Sequence, residues 1–124
     1  MDKRISTIVA SAILSVVAST AQAGGADVLA VDAKRQRGDL WRFSVTVEHE
    51  DEGWDHYADK WEVFDADGNV LATRVLAHPH ENEQPFTRSM SGIEIDPSIA
   101  VVTVRAHDSV HGYGGATVDV TLER

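Results

Sequence analysis

Four stretches of this chain alternate apolar and polar residues with a period of two, and that alternation decides the fold class. In residues 40–48, Trp41, Phe43, Val45 and Val47 fall on one side, and Arg42, Ser44, Thr46 and Glu48 on the other. Side chains of an extended strand point to alternate faces, so such a run lays one face on a core and gives the other to water. The stretch 57–64 repeats the pattern with Tyr57, Trp61 and Val63 inward, and Asp59 shares that parity, which is unusual for a carboxylate. The stretch 101–106 puts Val102, Val104 and Ala106 inward, and 116–122 does so with Val118, Val120 and Leu122. Past residue 23 no apolar period of 3.6 competes with these signals.

Turn residues separate the runs and add three further strands. Residues 27–33 form a weaker first strand, ending at the turn Gln36-Arg37-Gly38-Asp39. Asp65-Ala66-Asp67-Gly68-Asn69 is a hairpin signal leading into a strand over 70–77. A strand over 86–95 carries a bulge at Gly92, where the inward parity shifts from Phe86 and Met90 to Ile93 and Ile95, and it ends at Asp96-Pro97-Ser98. Seven short strands spaced by turns predict an antiparallel sandwich of the immunoglobulin or fibronectin-III kind, with Trp61 at the core position of the third strand. A small open barrel is the competing architecture.

The N-terminus reads differently. Met1-Asp2-Lys3-Arg4 is a short basic start, and residues 5–18 carry no charge. Ala21-Gln22-Ala23 then supplies the small-x-small pattern of a cleavage site. The apolar run is shorter than the roughly 20 residues that span a bilayer. The expectation is therefore a signal peptide over 1–23 and one domain over 24–124, placed in the periplasm or secreted, with no membrane insertion after cleavage. The chain has no cysteine, so neither a lipid-anchored cysteine nor a disulfide is expected. The formal charge of −9 becomes −10 when Asp2, Lys3 and Arg4 are removed. Such an excess repels nucleic-acid phosphates and anionic lipid, and attracts cations.

Histidine placement carries the functional reading. Strands of an antiparallel sandwich run alternately up and down, so the turns near Gly38, Gly68 and Pro97 share one end. His49, His56, His78, His80, His107 and His111 then all fall at the other. His78 and His80 lie at i and i+2 around Pro79, which puts both rings on one side of an extended segment. His107 and His111 bracket a short loop. Imidazoles without thiolates suit Cu(II), Zn(II) or Ni(II), with carboxylates filling out the set, and copper or zinc comes first. The expected ligands are His78, His80, His107 and His111, with His49 and His56 in reserve. Asp59 and Asp108 are placed to hold an imidazole nitrogen from behind, and the carboxylates that surround His49 and His56 in the loop 48–56 suit either ligation or the orienting of an imidazole.

Other constellations exclude or compete. The hairpin at Gly68 lacks the glycine placement of an EF-hand loop. His107-Asp108-Ser109 has the residue types of a hydrolase triad without the geometry that adjacency denies, and no nucleophile elbow accompanies it. Gly112-Tyr113-Gly114-Gly115 lacks a phosphate-loop lysine. Enzymatic activity is therefore not expected. Trp54, Tyr57 and Tyr113 at the histidine end suit a metal-free recognition module for an envelope protein or a carbohydrate. A stress-protective chaperone or a metal buffer without a defined site is a third reading.

Trp54-Asp55-His56-Tyr57-Ala58-Asp59-Lys60-Trp61, His78-Pro79-His80, Gln84-Pro85-Phe86-Thr87-Arg88-Ser89 and Asp108-Ser109-Val110-His111-Gly112-Tyr113-Gly114-Gly115 together resemble small exported bacterial proteins of unassigned function. The resemblance implies an envelope-side location and transfers no functional residues.

Overall fold

A computed structural model describes residues 24–124; the signal-peptide expectation for residues 1–23 lies outside the described residues. The strands are β1 (Asp27–Arg37), β2 (Leu40–Glu48), β3 (Ala58–Phe64), β4 (Val70–Val75), β5 (Phe86–Glu94), β6 (Val101–Asp108) and β7 (Val118–Thr121). They form two antiparallel sheets, β1-β2-β5 and β4-β3-β6-β7. Among the described residues no helix is long and apolar enough to cross a membrane.

The alternation works as its period requires. Trp41, Phe43, Val45 and Val47 are buried, and they meet Trp61, Val63, Val102, Val104, Val118 and Val120 from the second sheet in one core. On the opposite face of β2, Ser44 and Thr46 pair their hydroxyls with Ser89 and Thr87 of β5 at 2.7 and 2.8 Å. Gly92 lies in a bulge: Trp41 faces Ile93 and Phe43 faces Met90, leaving Ser91 and Gly92 opposite Arg42. Its φ of 71° suits glycine.

Two further bulges correct the sequence reading. Between Val28 and Ala30 the β1–β2 register shifts, so Leu29 turns outward while Val28 and Val31, three apart, are both buried. Between Ala58 and Lys60 the β3–β6 register shifts as well. The extra residue there is Asp59, and beyond it the parity reverses: Ala58 takes the inward place expected of Tyr57, which is only half-buried. The bulge thus turns Asp59 off the core side. β1 runs on to Arg37, past its expected end at 33, because the hairpin with β2 keeps pairing residues that have no apolar pattern. β6 likewise runs two residues past Ala106, to Asp108.

Candidate metal centre at the histidine end

Three loops meet at one end of the sheets: 49–57 between β2 and β3, 76–85 between β4 and β5, and 109–117 between β6 and β7. They are tied directly to one another. Ser109 N donates to Tyr57 O at 2.9 Å, His49 N to the side chain of Gln84 at 3.0 Å, and His80 N to Asp51 Oδ2 at 2.7 Å.

At the centre stands Asp108, fully buried at the end of β6. Val102, Val104 and Ala106 point inward, and period two carries position 108 inward with them, so the last core position of the strand is a carboxylate. Its Oδ1 accepts the backbone N–H groups of Val110 (2.7 Å) and His111 (3.1 Å). Its Oδ2 faces three imidazole nitrogens: His49 Nε2 at 2.7 Å, His56 Nε2 at 2.8 Å and His111 Nδ1 at 3.2 Å. Burial pushes this carboxyl upward, but the Val110 N–H, the His56 imidazole and both His111 donors outweigh it. Asp108 is held well below the usual carboxylate range.

The surrounding histidines are held from outside too. His49 Nδ1 donates to Asp51 Oδ1 at 2.5 Å, and both side chains are buried. Asp51 also accepts Ala58 N at 3.0 Å. His56 Nδ1 reaches Glu52 Oε1 at 3.0 Å. Glu52 first, then Asp108, raises the His56 ring above the ordinary histidine value of 6.5. With a carboxylate at each nitrogen, His56 has the bonding pattern of a ring that donates from both sides. His49, His56 and Asp108 offer ligand atoms within 4.8 Å of one another. Solvent reaches the cluster from the side of His56 and His111, whose side chains are 18% and 38% exposed.

The other histidines stand apart from Asp108. His107 precedes it on β6 and therefore faces the other way; its Nδ1 donates to Asp59 Oδ1 at 2.6 Å and its ring meets Tyr113 edge-on at 4.7 Å. His78 and His80 lie together, with ring centroids 4.6 Å apart. His80 is buried and stacked on Phe86 at 4.0 Å, and among the described residues neither of its ring nitrogens has a hydrogen-bond partner. Burial, then Arg88 and His78, pushes His80 below the ordinary histidine range. The structure thus divides the six expected ligands into three groups. It brings His49 and His56, the reserve pair, together with His111, and it places His107 and the His78–His80 pair elsewhere on the rim. Asp59 and Asp108 do hold imidazole nitrogens. Asp51, which links His49 to the His80 loop, has no sequence signal beyond its place in an acidic loop.

No protein-family model matches the chain, and no solved structure matches it. The chain is similar to a protein of Halomicrobium mukohataei described as "Putative lipoprotein", with 43% identity over 98 residues. The match covers 79% of this chain and 48% of the relative, so the chain spans about half the length of the curated protein it matches.

Proposed function

We propose that this is an exported protein, freed of residues 1–23 by signal peptidase, whose domain over 24–124 binds a divalent transition metal, copper or zinc, through His49, His56, His111 and Asp108. The observation that carries this reading is the convergence of three imidazole nitrogens on one oxygen of a buried carboxylate. Zinc ligands at about 2.0–2.1 Å in a tetrahedron stand about 3.3 Å apart. The nitrogen–oxygen distances of 2.7–3.2 Å are about 0.1–0.6 Å short of that, and His49, His56 and Asp108 offer ligand atoms within 4.8 Å of one another. Asp51 and Glu52, on the far nitrogens of His49 and His56, are the carboxylates that orient ligating imidazoles. The "lipoprotein" wording of the relative supports the export reading. The strand orders β1-β2-β5 and β4-β3-β6-β7 support a fibronectin-III-like sandwich, with the loops after β2, β4 and β6 as its binding end.

A metal takes the place of protons on His56 and its neighbours, so binding releases protons and weakens as pH falls. Calorimetric titration with Cu(II) and Zn(II) tests the reading. Sub-micromolar, one-to-one binding is expected, lost in His56→Ala/His111→Ala and retained in His78→Ala/His80→Ala. The reverse pattern would move the site to the loop after β4, and weak binding in every form would remove the metal reading.

A second reading has its own observation. Trp54 is 66% exposed, stands edge-on to Tyr57 at 5.6 Å, and shares the rim with the exposed Tyr113. Such aromatics suit recognition of a protein or a carbohydrate without metal. Trp54 fluorescence would then respond to that ligand and not to Cu(II) or Zn(II).

A further inference from the structure

The segment just before β1 runs into the candidate metal centre and is clamped there. Val28 N donates to Ala116 O at 2.9 Å, and Asp27 Oδ1 accepts Ala116 N at 2.8 Å. Gly115 lies so close that a Cβ on it would stand 1.8 Å from Ala26 O. Gly25 and Ala26 are buried in consequence. This clamp sets Gly24 against two of the three histidines: its carbonyl oxygen accepts His49 Nε2 at 3.0 Å, and a Cβ on it would lie 2.9 Å from His111 Cε1 and 3.3 Å from Nδ1. With φ at +86°, Gly24 also has a backbone conformation that L side chains rarely adopt. The carbonyl bond to His49 and the close approach to His111 bring the Gly24 backbone to the cluster.

We propose that the α-amino group of Gly24 is itself a ligand of the metal centre, created when residues 1–23 are removed. The proposal rests on the export and metal-binding reading above. Hydrolysis of the Ala23–Gly24 amide adds one water, giving a carboxylate on Ala23 and an amine on Gly24. Before that step the Gly24 nitrogen is an amide, its lone pair delocalised into the carbonyl. Afterwards it is an amine whose lone pair is free once its proton is displaced, able to bind a borderline cation. The amine and the carbonyl oxygen of one residue close a five-membered chelate ring on a metal ion, and the Gly24 carbonyl already faces His49 Nε2. An amine added to imidazoles and a carboxylate makes a nitrogen-rich set, which selects Cu(II) over Zn(II). The site is then complete only after export, so the precursor competes less well than the processed protein for copper.

Mass spectrometry of the exported protein, followed by Cu(II) competition titration and electron paramagnetic resonance, tests this. The processed protein starting at Gly24 is compared with the full chain retaining 1–23 and with processed protein acetylated at Gly24. The processed form should bind Cu(II) at least tenfold more tightly than either. It should also show a copper–nitrogen coupling that changes when glycine alone carries nitrogen-15. The labelling separates ligation from simple obstruction by the added groups: lost affinity without a glycine coupling overturns the proposal. Equal affinity and identical spectra in all three forms overturn it while leaving the metal site intact. Absence of Cu(II) binding in every form overturns it together with the reading on which it rests. A mature terminus other than Gly24 overturns it as well.

Discussion

The two ends of the sheets hold their loops by opposite means. At the end without histidines, carboxylates serve their own turns. Asp65 accepts Asp67 N and Asn69 N at 2.9 and 2.8 Å, and Asp96 accepts Ser98 N at 2.9 Å. Donor and acceptor there are two to four residues apart. Arg124 adds exposed ties to the carbonyls of Ile99 and Asp96. At the histidine end the side chains of Asp108 and Asp51 are buried and reach across the chain. Asp108 meets His49 over 59 residues and His56 over 52, and Asp51 meets His80 over 29. A local cap forms as soon as its turn forms, whereas the histidine network exists only when three loops and the N-terminal segment have docked. Buried charges of this kind are costly unless every partner is present, so a network this size makes the end an all-or-none unit.

That contrast yields an ordered set of expectations. The largest effect belongs to Asp108→Ala, which leaves His49 buried against Asp51 with its other carboxylate partner gone. Removing one partner of such a buried set costs about 3–5 kcal/mol, to be read from urea unfolding of the metal-free protein. A loss no larger than that of a surface carboxylate would break the comparison. Next comes Gly115→Ala, whose added methyl has no room beside Ala26 O. About 1–3 kcal/mol of overpacking cost is expected. The same change displaces Gly24 from the cluster, so Cu(II) affinity should fall with stability.

The pH profile of the metal-free protein sharpens the comparison further. His56 is raised in the folded state, so its contribution is complete below about 6.5 and is lost as pH rises through the higher folded value. Asp108 is lowered, so its contribution is present above about 3.8 and is lost as pH falls through its lower folded value. In a chelator the melting temperature should be highest between these limits and decline on the alkaline side. Zn(II) should oppose that decline, since binding takes the place of the His56 proton. A melting temperature that holds level from pH 6 to pH 9 in the chelator would contradict the His56 assignment. The smallest effect is expected for Asp65→Ala, whose partners are exposed and local. It should shift the melting temperature less than any histidine-end variant and leave metal titrations unchanged.

Much of this was legible in the residues. The inward faces of β2, β6 and β7, the hairpin at Gly68 and the bulge at Gly92 follow from period-two alternation and turn chemistry, which act over a few residues. Counting strand directions brings the six histidines to one end, with Asp59 and Asp108 beside them to hold imidazole nitrogens. Local pattern could not choose which histidines converge. His78 and His80 satisfy the spacing of a ligand pair, yet His80 packs on Phe86 because the loop after β4 lays its ring there. His107 and His111 bracket a short loop, yet the strand turns His107 toward Asp59 and the loop turns His111 toward Asp108. The bulge at Asp59 depends on the register between β3 and β6, which neither strand specifies alone.

The sequence by itself therefore determined an all-β chain of two faces, its turns, and the end on which its histidines gather, because strand periodicity and turn geometry are short-range. Only the tertiary structure decided that His49, His56 and His111 share one oxygen of Asp108, and that Gly24 sits beside them. The contacts of His49 and His56 with Asp108, and of Gly24 with His49, join residues 25 to 59 apart, and the burial that makes them strong appears only when both sheets have closed on the core.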